Sequence, residues 1–336
     1  MRKLLFLLPG TTQRFFAGGL TAELNTRKLV QQICAAEVVT YRQREKETLF
    51  LDDVLAKKCD RSCIFVVSWG FDVPKLIQRI GDRPTIYHAH STGYGFSLPP
   101  RVPIVTVSRN SMGYWGEKAL SSLIYHIPNE ISADFQNRQT ARDIDVLVQA
   151  RKSSEYLLQQ LVPALQTQCK VVVLDSYVED LVDLFNRSKV YLYDSAEYWG
   201  RYRLTEGFGL PPMEALACGT QVFSSVNHSL ADYLDPGFNC QKIAGYATDY
   251  DVKRILNTIH HWKPSTLSAG DYFASYRAEQ LIPRWRTVLE DINDFFDYQL
   301  DHPPKAPGNI PQLTTRRIAY LSAKRLLGKV NAKLKQ

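Results

Sequence analysis

Apolar positions in this chain gather into short unbroken runs, and between the runs they recur every three to four residues. Leu4–Leu8, Glu37–Tyr41, Cys63–Ser68 and Thr85–His90 are runs of the first kind. Leu20–Cys34 and Pro74–Ile80 carry the second, helical spacing. Buried strands separated by helices predict a parallel sheet covered on both faces. Ile104–Ser108 reads as a further strand, with its partner helix starting near Asn110. After Ile127-Pro-Asn-Glu-Ile-Ser-Ala-Asp134 the alternation starts again. Strands are expected at Ile144–Gln149, Lys170–Leu174, Lys189–Tyr193 and Gln221–Ser224, and helices around Glu155–Gln166, Asp180–Asn186 and Pro212–Cys218. Tyr250–Trp262 and the long Glu279–Leu300 are helical by spacing. The pattern predicts an α/β chain of two Rossmann-like, doubly wound domains over 1–130 and 131–300, the second including the closing helix. A Pro-rich linker and tail occupy 301–336.

Composition agrees with two ordinary domains: 336 residues, 45% hydrophobic and 22% charged. Six cysteines, with only Cys59 and Cys63 close together, suit reduced thiols rather than a disulfide framework. Leu4–Leu8 is shorter than the roughly 7 to 15 apolar residues of a signal peptide core, so a first strand is the better expectation. No run approaches the roughly 18 residues of a membrane span. A cytoplasmic protein is expected.

Charge changes the picture only at the end of the chain. The formal net charge is +7, and residues 306–336 hold seven basic side chains and no acidic one. The body is therefore neutral, which argues against a nucleic-acid partner. Tyr320, Ala323, Leu327, Val330 and Leu334 recur on one helical face among those lysines and arginines. A basic amphipathic helix over 314–335 is expected to meet an anionic membrane surface, on the inner face of the cytoplasmic membrane.

The chemistry concentrates in Glu206-Gly-Phe-Gly-Leu-Pro-Pro-Met-Glu214, after a predicted strand. Pro211 and Pro212 suit the first turn of a helix. Gly207 and Gly209 let the backbone come close to a ligand, and a glycine loop at a helix N-terminus binds anions through free amides and the dipole. Two carboxylates beside an anion cradle would repel phosphate unless they faced hydroxyls. A ligand with phosphates flanked by sugars, a nucleotide sugar, satisfies both.

The same stretch, continued by Ala-Leu-Ala-Cys-Gly219, resembles the Glu-x7-Glu signature of glycosyltransferase family 4, whose members are retaining enzymes of the GT-B fold. Gly18-Gly19, Val105-Thr-Val-Ser108, Ile127-Pro-Asn129 and Ile144-Asp-Val-Leu-Val-Gln-Ala-Arg151 are similar to family segments in the same order. The resemblance implies a metal-independent, hexosyltransferase-type enzyme that moves a sugar from a nucleotide-sugar donor to a glycan or lipid-linked acceptor. Polysaccharide or cell-envelope glycan synthesis would be its setting, with no cofactor. It further implies catalytic roles for Glu206, His90 and Arg151. Donor binding would fall to Gly18, Gly19, Lys152, Leu210, Glu214 and the amides of Gly207, Phe208 and Gly209. The family's lysine a few residues beyond Arg151 is missing; Lys152, Arg201 and Arg203 are the candidates for its charge. His88 stays open beside His90, because both lie on one side of an alternating strand. Tyr94 and Trp115 are candidates for a sugar subsite or for core packing. His260-His261 is not expected to bind metal, since adjacent helical side chains diverge by about 100°. No Asp-x-Asp pair lies in a predicted loop. The other readings are a catalytically silent donor-binding scaffold and a GT-B epimerase or phosphorylase. A dehydrogenase lacks its Gly-x-Gly-x-x-Gly after the first strand.

Overall fold

A computed structural model describes residues 1–15, 18–57, 61–176, 178–243, 245, 247–264 and 272–302, with positions 319 and 323 in isolation. The tail helix expected over 314–335 lies outside the described residues, apart from those two positions. So does Cys59; the other five cysteines are free thiols.

Seven strands form the first sheet: β1 (Lys3–Leu8), β2 (Ala36–Thr40), β3 (Leu49–Phe50), β4 (Cys63–Val67), β5 (Thr85–Ala89), β6 (Ile104–Thr106) and β7 (Ile124–His126), in the order β3-β2-β1-β4-β5-β6-β7. Five form the second: β8 (Ile144–Gln149), β9 (Val171–Leu174), β10 (Ser188–Tyr193), β11 (Gln221–Ser224) and β12 (Cys240–Lys242), in the order β12-β11-β10-β8-β9. Neighbouring strands are parallel throughout. Both sheets are doubly wound, with the strand order reversing beside β1 in one and beside β8 in the other.

The apolar run of β1 is explained by its two covered faces. Leu5 and Leu7 pack with Tyr87, Leu98 and Trp115 on one side, whereas Leu4 and Phe6 pack with Leu29, Trp285 and Leu289 on the other. In β8, Val146 and Val148 face Tyr156, Leu161 and Ile255, while Leu147 meets Met213 and Leu216 across the sheet. Burying each such side chain contributes about 1.5–3 kcal/mol, which makes these faces the main source of stability.

The closing helix runs from Ala278 to Asp301, close to the expected span, but its position corrects the sequence division. Leu281, Trp285, Leu289, Ile292 and Phe296 cover the first sheet, not the second. Spacing shows which face of a helix is apolar but does not say which sheet will receive it. The expected helix over 155–166 is also irregular: Leu157–Leu161 is a π-helical turn that passes into an α-helix at Val162. Pro163 lies just beyond it and has no N–H to give to the regular ladder.

Candidate active site

A cleft of about 350 Å³ opens between the sheets. Its lining follows the carboxyl ends of strands, where open α/β sheets bind ligands at the point of strand reversal. Gly18 and Gly19 come after β1, Ser68–Phe71 after β4, His90, Ser91 and Tyr94 after β5, and Arg151 and Lys152 after β8. Gly18 and Gly19 form the first turn of the helix Gly18–Val30 rather than a turn ahead of it, and an added Cβ on either would meet nothing. The N-terminus of that helix, whose first amides have no partner within the helix, therefore lies at the cleft.

The glycine loop crosses from the other side and touches the first half of the chain. A Cβ on Gly207 would sit 1.3 Å from the His90 carbonyl oxygen, so no other residue fits there without parting the walls. Gly209 caps the helix Leu210–Ala217 with φ +78°, a conformation that costs other residues about 1–2 kcal/mol. The contact is fastened by hydrogen bonds: Ser91 Oγ donates to the Thr205 carbonyl at 2.6 Å, and the Thr92 amide donates to Thr205 Oγ1 at 3.0 Å.

Glu206 is buried at 5% exposure on the floor of this cleft. Its Oε2 accepts from the Tyr193 hydroxyl at 2.7 Å and from the Trp199 indole N–H at 2.6 Å. Lys152 Nζ lies 3.9 Å from Oε1 and 4.3 Å from the centre of the Trp199 ring. Burial pushes the Lys152 ammonium down, against the pull of Glu206, and Arg151 adds to the downward shift. Lys152 also holds φ +68°, a left-handed backbone that the chain retains at this ligand-facing turn. Arg151, at the same strand end, is exposed to the cleft.

Opposite stand His90 and a group of aromatic side chains. His90 Nε2 is 3.1 Å from Glu23 Oε1, and His88 Nδ1 is 2.9 Å from the same oxygen. His90 lines the cleft, whereas His88 is 1% exposed and lies beneath it against the Trp285 ring. Trp69, Phe71 and Tyr94 also line it, with the Phe71 and Tyr94 rings edge to face at 4.9 Å.

Residues 134–262 match the family model described as glycosyl transferases group 1. None of the curated proteins compared with the chain matches it. Among solved structures, sucrose-phosphate synthase from Thermosynechococcus elongatus superposes with a TM-score of 0.64 at 11% identity, over 88% of this chain and 100% of that one. AviGT4, a glycosyltransferase involved in avilamycin A biosynthesis, gives 0.58 at 14% identity over 88% and 98%. HepE from Anabaena, in complex with UDP and glucose, gives 0.54 at 15% over 90% and 100%. The fold is GT-B.

In this GT-B chain the cleft brings together Gly18, Gly19, His90, Arg151, Lys152, Glu206, Gly207, Phe208, Gly209 and Leu210. It does not bring in Glu214, whose partly buried carboxyl sits one turn along the helix Leu210–Ala217; burial pushes its pKa up to about 8. Phe208 lines the cleft while its ring packs inward on Tyr233. Trp115 is in the core against Tyr87 and Phe96, while Tyr94 reaches the cleft. Arg201 pairs with Glu155 and Glu197 away from the cleft, and Arg203 is not in its lining, which leaves Lys152 as the second cation there. Asp143 and Asp145, an Asp-x-Asp pair at the start of β8, are held by Arg187, Lys170 and Lys189. His260 and His261 are exposed. The sequence reading missed Tyr193, Trp199 and Glu23. Tyr193 ends a predicted strand, and Glu23 interrupts the apolar stripe of Leu20 and Val30, so both left a signal; Trp199 left none.

Proposed function

We propose that the chain is a retaining, metal-independent glycosyltransferase that moves a hexose from a nucleotide-sugar donor to a glycan or lipid-linked acceptor. The observation that carries this is the pairing, in one cleft, of two cations and a glycine-loop helix N-terminus with a buried carboxylate anchored through one of its oxygens. Arg151, Lys152 and the amides around Gly209 suit a diphosphate leaving group, whose charge they would stabilise in a cleft with little water. Glu206 suits the hydroxyls of the transferred sugar, because Tyr193 and Trp199 occupy Oε2 and leave Oε1 toward the cleft. The resemblance gives the ribose to Glu214, although its carboxyl lies outside the cleft lining, and His90 would face the sugar from the opposite wall. Among the described residues that line the first wall no side chain is a lysine or arginine, so the acceptor end would meet Trp69, Phe71, Tyr94 and the neutral Asn129. That favours the uncharged end of a glycan as acceptor, in polysaccharide or cell-envelope synthesis.

No helix among the described residues is long and apolar enough to cross a membrane. Attachment to an anionic inner membrane face would rest on the basic tail, and flotation with anionic liposomes that survives deletion of 306–336 would reject it. The complex of HepE with UDP and glucose makes UDP-hexoses the first donors to try. Thermal-shift screening of nucleotide sugars tests the donor site: a ligand at 100 times its Kd adds about 2.7 kcal/mol. No shift with any nucleotide sugar would reject the reading. A silent scaffold would bind donor and yet transfer nothing to any acceptor glycan.

A further inference from the structure

Glu23 lies one turn into the first helix, at 1% exposure, with no place so far in the chemistry of the cleft. A carboxylate is expensive to bury, and this one keeps Oε2 without a hydrogen-bond partner among the described residues. Both of its contacts converge on Oε1: His88 Nδ1 at 2.9 Å and His90 Nε2 at 3.1 Å. The two rings stand 4.4 Å apart, and His88 is backed by Trp285 of the closing helix. Burial pushes the Glu23 carboxyl up, but the facing rings and their hydrogen bonds outweigh that and hold it well below the usual carboxylate range. Burial, with His88 beside it, pushes the His90 ring down against the pull of Glu23, which favours the neutral ring.

A neutral imidazole has one N–H, and an ionised carboxylate can only accept. The His90 proton therefore sits on Nε2, facing Glu23. Nδ1 is left with a lone pair and no protein partner among the described residues, on a ring that lines the cleft. We propose that Glu23 is a positioning residue: it fixes the tautomer and angle of His90 so that Nδ1 accepts a hydrogen bond from a hydroxyl of the bound sugar. The role in transfer rests on the glycosyltransferase reading; the tautomer does not. The same three side chains also form the single group among the described residues able to hold a metal ion. However, both ring nitrogens lie within hydrogen-bond distance of the same carboxylate oxygen, so each has a partner there without a cation.

Two measurements on the full chain test this. In 15N-histidine NMR of the unaltered protein, with His90 assigned by loss of its signals in His90→Asn, the ring should show a protonated Nε2 and a bare Nδ1 at neutral pH. A bare Nε2, an imidazolium, or stoichiometric tightly held zinc with metal-bound Nε2 overturns the proposal. Kinetically, Glu23→Gln should lower kcat about 10- to 100-fold with little change in donor KM, as loss of an orienting partner does. In the His90→Asn background the same substitution should cost nothing more. An equal fold loss in both backgrounds means that Glu23 supports the fold instead, and overturns the proposal. If Glu23→Gln does not fold, the NMR of the unaltered protein decides. Absence of transfer with every donor, alongside the expected tautomer, would reject the functional reading and leave the tautomer standing.

Discussion

β1 and β8 are the strands beside which each sheet reverses its order, and both end at the cleft, yet the turns that follow them differ in kind. After β1 come two glycines and a helix N-terminus, and strands β4 and β5 of the same sheet add Trp69, Phe71, Tyr94 and His90. After β8 come Arg151 and Lys152, and β10 adds Tyr193 to hold Glu206. One topology thus gives one wall of backbone amides and rings and another of fixed charges. The topology sets where ligands sit; the residues in the first few positions after each strand set which part of the ligand each wall can hold.

Substitutions should therefore separate the walls. Arg151→Ala is expected to lower kcat/KM at least about 100-fold, through weaker donor binding and slower transfer, in steady-state assays with labelled donor. An equal fall in affinity for acceptor alone would erase the distinction between the walls. Tyr193→Phe leaves Glu206 Oε2 with one donor and should cost about 2 kcal/mol in denaturant unfolding, besides lowering kcat. Phe71→Ala, at an exposed ring, should leave the unfolding midpoint and donor Kd unchanged and raise acceptor KM several-fold, an effect of about 1 kcal/mol. A separate effect is on stability versus pH. The Glu214 carboxyl is raised to about 8, above its unfolded value, so folding is disfavoured increasingly from about pH 4.5 to pH 8 and by a constant amount above. Glu214→Gln should accordingly raise Tm by a margin that grows from pH 5 to 8 and then levels off. The same substitution should weaken donor binding if the ribose needs the carboxylate. A margin independent of pH would mean that Glu214 titrates as it does in an unfolded chain.

Much of the fold could be read from the sequence because buried parallel strands leave unbroken apolar runs. Leu4–Leu8 and Ile144–Gln149 are such runs, and they appear where expected. The edge strands β3, β7 and β12 were missed, being two or three residues long with at most one buried position each. Of the cleft, the glycine loop was legible because close approach and an anion cradle demand glycine at fixed spacing. Glu206 came with it. Its anchors did not: Trp199 is brought to the carboxylate by the return of the chain through a short helix at Ala196–Tyr202, which no local periodicity announces. Glu23 shows the opposite case, a polar residue on an apolar stripe whose reason lies 65 positions away in His88.

Because the helix Ala278–Asp301 covers one face of the first sheet, Leu4, Phe6, Ile64 and Val66 have only Leu29, Val30 and their early neighbours as cover until the ribosome has reached the end of that helix. At usual elongation rates the interval after β7 is on the order of ten seconds or more. The nascent amino-terminal half must spend it sticky and half-clothed, so chaperone dependence should fall on that half even though it is translated first.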